Sequence, residues 1–237
     1  MSVILPSRVF AQKVVQNANM LFLRGPIKLT DQFGLVEQLE TKVGGLPELM
    51  FVGNTNVGKS SLLSALMMPK GAPKATPGKP RDYPNASKRQ GFTRTLSFYT
   101  ISQKLRLVDT PGYGFRSHSA QGSVMLHYLE NNASNLIKAY VLIHAGKGFS
   151  QPDADVCEIL HQHGIPFNFV LTKADLVKQQ SQIDEIYAQT LGFVSELGGI
   201  TDDMYITSAS RRDPRGITEL RTGIYLSSGL AEAQERK

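Results

Sequence analysis

One cysteine, Cys157, occurs in the 237 residues. An intramolecular disulfide is therefore excluded, and so is a structural zinc site built on cysteines. The five histidines form no spaced ligand set; His161 and His163 lie two apart in a helical pattern, so they point to different faces and read as exposed helix residues. No apolar run reaches the ~18 residues of a membrane-spanning helix, and no stable membrane insertion is expected. No internal repeat is present. Residues 1–30 hold no Asp or Glu and carry Arg8, Lys13, Arg24 and Lys28. Acids are also the minority overall, with Lys+Arg 26 against Asp+Glu 20 and a pI near 9.4. That balance leaves polyanionic partners open. The length suits one globular domain with appendages, or two small ones, with a core that needs no staples.

What is present is organised around Gly53-Asn54-Thr55-Asn56-Val57-Gly58-Lys59-Ser60-Ser61, which fits G-x-x-x-x-G-K-[ST]. The apolar run Leu49–Val52 enters it and the helix-like run Leu62–Leu66 leaves it. A phosphate-binding loop requires that setting. Its glycines let the backbone approach a polyphosphate, and N–H groups at the helix start point at the anion. Lys59 can reach the β- and γ-phosphates, and the Ser60 hydroxyl can ligate Mg²⁺.

Before this loop, Val9, Phe10, Lys13, Val14, Asn17 and Leu21 are spaced for an amphipathic helix. An acid-free, Arg-containing amphipathic start reads as a mitochondrial presequence, and otherwise as a basic helix packed on the domain. Thr30-Asp31 can cap a short helix running to about Val43, which Gly44-Gly45-Leu46-Pro47 breaks. After the loop, residues 69–90 are rich in Pro, Gly, Lys and Arg, with six cations against the single acid Asp82. A loop of that length is functional or disordered, and this one suits the phosphates of a polyanionic partner or stands as a solvated segment. Arg211, Arg212 and Arg215 can add to the same surface.

Strands are expected near 49–52, 93–101, 105–108, 139–145, 167–171 and 204–207. Helices are expected at 120–131, 153–162, 183–197 and 217–226. Alternation of this kind implies an α/β domain, here a mostly parallel six-stranded sheet with helices on both faces. Ligand chemistry in such sheets gathers at the carboxyl ends of the strands.

Three further motifs fall there. Asp109-Thr110-Pro111-Gly112 can hold Mg²⁺ through Asp109 and offer the Gly112 N–H to a γ-phosphate. Thr172-Lys173-Ala174-Asp175 separates GTP from ATP. One carboxylate, Asp175, accepts from both the N1–H and the 2-amino group of guanine, a pair that adenine lacks. The Lys173 stem can lie along the base. Ser208-Ala209 can donate a backbone N–H to the guanine 6-oxo group, or Ser210 can serve instead. A threonine must sense the γ-phosphate and Mg²⁺ from the loop before Asp109. Thr76, Thr93 and Thr95 compete, and Thr93 is favoured because it joins the loop to a strand.

In this order the motifs resemble those of a Ras-like P-loop GTPase of the translation-factor class. The details are similar to the EngB family of ribosome-assembly GTPases: Leu46-Pro47-Glu48 before the first strand, the aromatic Tyr113-Gly114-Phe115, and Thr172 where most GTPases carry Asn. The similarity spans roughly residues 46–226. Gln90-Gly91-Phe92, the longer basic loop and the longer turn after Ser210 depart from the family pattern. The resemblance implies GTP and GDP binding with Mg²⁺ and partners in the rRNA and proteins of the large ribosomal subunit. The N-terminal segment adds similarity to the mitochondrial branch. The chain is accordingly divided into an extension, 1–45, a GTPase domain, 46–227, and a tail, 228–237, and is expected to be a monomer. Many GTPases orient the attacking water with a Gln beside the D-x-x-G glycine; Tyr113 and Gly114 stand there instead, so turnover is expected to be slow. Asn56 stands where some relatives hold K⁺. The competing readings are a mitochondrial GTPase with another target, in tRNA modification or at a membrane, and a GTP-binding scaffold that does not hydrolyse.

Overall fold

The computed structural model describes residues 10–34, 45–68, 95–113, 119–131, 133–198, 204–210 and 212–235. Seven strands form one sheet: β1 (Ile27–Phe33), β2 (Glu48–Gly53), β3 (Leu96–Ile101), β4 (Leu105–Asp109), β5 (Leu136–His144), β6 (Phe167–Thr172) and β7 (Met204–Ile206), in the order β1-β3-β4-β2-β5-β6-β7. Strands β4, β2, β5, β6 and β7 run parallel, while β3 and β1 add antiparallel to one side.

The pleat divides each central strand between two cores. From β2, Met50 and Val52 enter one cluster and Leu49 and Phe51 the other. From β5, Val141 and Ile143 part from Tyr140 and Leu142 in the same way. Because both faces are covered, all six residues of β2 are buried, and Leu49–Val52 read as a continuous apolar run. Helices α3 (Ser119–Asn131), α4 (Gln151–Gln162) and α5 (Gln180–Glu196) close the first core through Tyr128, Cys157 and Ile183. Helices α1 (Gln12–Leu23), α2 (Lys59–Met67) and α6 (Ile217–Ser227) close the second through Phe22, Leu63 and Ile224. A short helix α7 (Leu230–Glu235) follows, with Leu230 and Ala231 against the second core.

The sheet has one strand more than the sequence reading allowed. Thr30 and Asp31 were expected to cap a helix; they lie in β1, paired with β3 from Ile27↔Ile101 to Phe33↔Leu96. The remainder of that expected helix, 35–44, lies outside the described residues. The strand was hard to read because it is an edge. Its burial alternates, and a bulge between Leu29 and Asp31 interrupts the period. The Thr30 hydroxyl, expected at a helix start, donates instead to the Phe98 carbonyl at 3.1 Å.

Helix α1 is packed rather than appended, with Ala18 and Phe22 fully buried. Ser102, at a positive-φ turn between β3 and β4, ties it down: its Oγ donates to the Leu21 carbonyl at 2.7 Å and its amide to the Pro26 carbonyl at 2.7 Å.

Candidate GTP-binding site

The loop leaving β2 turns back on itself to start α2. Gly58, with φ 109°, stands at the N-cap, a conformation that favours glycine. No side chain caps α2. Its first N–H groups thus have no side-chain acceptor, which is the setting an anion fills. Gly53 is needed for a different reason: a Cβ there would come within 2.8 Å of Val57 Cγ1 and 3.0 Å of Leu142 Cβ.

Lys59, from the first turn of α2, meets Asp109 at the end of β4. Nζ donates to Oδ1 at 2.5 Å, and both residues are buried. Burial pushes the Asp109 carboxyl above its ordinary value, and the Lys59 ammonium opposes that. Ser60 and Ser61 follow on the same helix, half-buried. Ser60 Oγ and the Asp109 carboxylate are hard oxygen donors of the kind Mg²⁺ takes alongside phosphate oxygens and water.

After Asp109, Thr110 is pinned to the Phe51 carbonyl by its Oγ at 2.9 Å and its amide at 3.3 Å. Gly112 then lies against the phosphate loop; a Cβ on it would stand 3.0 Å from Thr55 Cα. Asn54 bridges to Tyr113 in parallel, and the Tyr113 carbonyl accepts the Thr55 amide at 2.7 Å. The Tyr113 phenol donates to Asp153 Oδ1 at 2.8 Å. Burial, with Asp153 beside it, pushes that phenol well above its ordinary value, so it stays protonated as a donor.

The motif after β6 is fastened to the same loop. Thr172 Oγ donates to the Val57 carbonyl at 2.6 Å, and Lys173 Nζ to the Asn56 carbonyl at 2.8 Å. The Lys173 stem passes over Gly58, where a Cβ would meet its Cε at 3.5 Å. Lys173 and Asn56 both adopt the left-handed region, φ 55° and 64°, which non-glycine residues seldom occupy. Burial and Lys147 hold the Lys173 ammonium below its ordinary value, against the pull of Asp175. Asp175 follows half-buried. Ala174 donates to the Thr207 carbonyl at 3.0 Å, which sets the short strand Ser208–Ala209, paired antiparallel with Pro214–Arg215, beside this motif. Ser208 is buried and its Oγ accepts the Ser210 amide at 3.2 Å; Ala209 is half-buried.

Fifteen of the residues singled out from sequence, namely Gly53, Asn54, Asn56, Val57, Gly58, Lys59, Ser60, Ser61, Asp109, Gly112, Thr172, Lys173, Asp175, Ser208 and Ala209, therefore gather at the carboxyl ends of β2, β4, β6 and β7. Thr93 and Thr76 lie outside the described residues. Thr95 is described, with its Oγ 3.4 Å from Ser97 Oγ.

The comparisons with known proteins point the same way. Residues 48–173 match the model of the 50S ribosome-binding GTPase family. The chain is 30% identical over 220 residues to the probable GTP-binding protein EngB of Caulobacter vibrioides, covering 91% of this chain and 88% of that protein. This chain is an EngB-type GTPase. It is also 34% identical over 194 residues to MIOREX complex component 8 of Saccharomyces cerevisiae, covering 80% of this chain but 59% of the yeast protein. The crystal structure of a probable GTP-binding protein engB shares the fold, with a TM-score of 0.53 at 21% identity over 76% of this chain and 98% of that one. So does Era in complex with MgGDPNP and nucleotides 1506–1542 of 16S ribosomal RNA, with a TM-score of 0.53 at 20% identity over 76% of this chain and 55% of Era.

Three features of this EngB-type chain were missed in the sequence. Arg221 is buried in α6, with Nε donating to the Leu66 carbonyl and Nη2 to the Ala65 carbonyl, both at 2.8 Å. It closes the last turn of the helix that begins with Lys59. Burial alone pushes its guanidinium down to about 10. The signal was its place one residue after Leu220 and three before Ile224, on the inward face. Glu48, the first residue of β2, is buried, accepting from Arg106 Nη1 at 3.1 Å and from the Tyr128 phenol. Asp153 forms a capping box with Ser150, a serine three residues before an acid that the sequence displays openly.

Proposed function

We propose that this chain is a slow GTPase whose nucleotide state governs its association with large ribosomal subunit particles, in mitochondria. The observation that carries the nucleotide part is the convergence of Lys59, Asp109 and the Thr172–Asp175 motif on one phosphate loop, with Thr172 and Lys173 bonded directly to its backbone. Lys59 and the α2 N-terminus would receive the β- and γ-phosphates. Asp175 would accept the guanine N1–H and 2-amino group, and a backbone N–H of Ser208-Ala209 would donate to the 6-oxo group. Ser60 and Asp109 would hold Mg²⁺, and when bound that ion screens the charge building on the phosphate oxygens. Thr93 would complete this set from the preceding loop.

Slow turnover is expected from Tyr113 and Gly114, which stand where many GTPases carry a water-orienting Gln; neither a phenol nor a glycine orients a water as that amide does. Asn56 is the candidate for holding K⁺ beside the phosphates; equal turnover in Na⁺ and K⁺, with and without ribosomal particles, removes that role.

The ribosomal part is supported by the family and by the basic loop at 69–90, which lies outside the described residues. The mitochondrial part is supported by the acid-free first 30 residues and by the yeast relative. Among the described residues no helix is long and apolar enough to cross a membrane. The proposed working unit is a monomer.

Gradient sedimentation of mitochondrial ribosomal particles tests the reading. Co-sedimentation with a non-hydrolysable GTP analogue and release with GDP is expected, weakening steeply with salt. Equal binding in both nucleotides contradicts gating.

A further inference from the structure

Tyr113 is fixed at three points. Its amide donates to the Gly53 carbonyl at 3.3 Å, its carbonyl accepts from the Thr55 amide at 2.7 Å and Thr55 Oγ at 3.1 Å, and its phenol reaches Asp153 Oδ1 at 2.8 Å. Asp153 is fixed in turn. Its Oδ2 accepts the Ser150 amide at 2.9 Å and Ser150 Oγ at 2.5 Å, at the start of α4, and it is 3% exposed.

Thr110 is pinned to β2, so movement in this segment begins at Gly112. Gly112 is the residue whose N–H would turn to a γ-phosphate. The next residue, Tyr113, is held to the phosphate loop on one side and to α4 on the other, which restrains how far Gly112 shifts. The Lys59–Asp109 bond belongs to the same arrangement: one of the three ammonium donors is spent on Asp109.

We propose that the Tyr113–Asp153 hydrogen bond is a latch that holds the Gly112 segment against the phosphate loop. Triphosphate binding opens it, and Asp153 passes the nucleotide state to the start of α4. This rests on the guanine-nucleotide reading above. The latch favours the diphosphate state, because GDP makes no demand on Gly112.

Tyr113→Phe removes one oxygen and keeps the ring. The affinity for a non-hydrolysable GTP analogue relative to GDP is expected to rise about tenfold, the worth of one hydrogen bond to a carboxylate. Asp153→Asn, a weaker acceptor of the same shape, is expected to give a smaller rise. In the wild-type protein, amide exchange at residues 150–153 is expected to be faster with the analogue than with GDP; in Tyr113→Phe it is equally fast with both. An unchanged ratio, a shift toward GDP, or wild-type exchange at 150–153 that ignores the nucleotide overturns the latch and leaves guanine binding standing. The wild-type exchange comparison decides the matter even if a variant does not fold. No guanine-nucleotide binding by the wild type overturns both.

Discussion

Lys59 Nζ and Asp109 Oδ1 lie 2.5 Å apart in a pocket that leaves 6% and 3% of the two side chains exposed. Each is the other's charge partner, and each is also assigned to the nucleotide, as phosphate ligand and Mg²⁺ ligand. Nucleotide and ion binding therefore share these groups with the pair. Lys59→Ala is expected to abolish triphosphate binding in calorimetry. It also strands a buried carboxylate. Breaking a buried pair in this way costs about 3–5 kcal/mol, less whatever Asp109 recovers by taking a proton. A chemical denaturation midpoint that does not fall contradicts the pairing.

Asp175→Asn tests the base. A carboxylate accepts twice from the guanine edge, whereas an amide offers one acceptor and one donor. GTP affinity should fall at least tenfold. Affinity for the xanthosine nucleotide should rise, because its 2-oxo group accepts where guanine's 2-amino group donates. Calorimetry with both nucleotides checks this.

Arg221 ties α6 to the end of α2, bonding the final carbonyls of the helix that begins with Lys59. Arg221→Leu should destabilise the protein by about 1–3 kcal/mol, since buried carbonyls lose their donors. Arg221→Lys should not restore it, because an ammonium does not present the two forked donors. Thermal unfolding of both variants measures this.

Glu48 makes stability depend on pH. Burial raises its carboxyl above the ordinary value, while Tyr128 and Arg106 oppose this. A carboxyl with a raised folded value favours the protonated form in the folded state. Its contribution is complete below the unfolded value and is lost as pH rises through the folded one. In urea titrations from pH 4 to 7, the wild type should therefore lose stability relative to Glu48→Gln as pH rises. A flat difference contradicts the raised value.

The phosphate loop, the two strand-end motifs and the central strands were legible because each joins a distinctive residue pattern to an apolar run. Leu49–Val52 could be read as a buried strand because no position faces water. The edge strand β1 was not legible, since its alternation is broken by a bulge and Thr30-Asp31 mimics a helix cap. The Tyr113–Asp153 bond spans 40 residues, and Arg221 reaches 155 residues back to Leu66. Local pattern cannot pair groups that only the folded sheet brings together.

Helix α1 bears on the mitochondrial proposal. Phe22 is fully buried, and Phe22→Ala should cost about 3–5 kcal/mol. A removable leader is therefore expected to end before the buried residues Ala18, Leu21 and Phe22. Sequencing the N-terminus of the protein recovered from mitochondria should find α1 intact; a start beyond Leu23 contradicts this.

Calorimetric titration of the purified chain with GDP, a GTP analogue and ADP in Mg²⁺ addresses the central assignment most directly. Binding of both guanine nucleotides and none of ADP, with the guanine preference lost in Asp175→Asn, is the expected result. Equal affinity for ADP and GDP, or a preference that survives Asp175→Asn, contradicts the assignment of the base to Asp175.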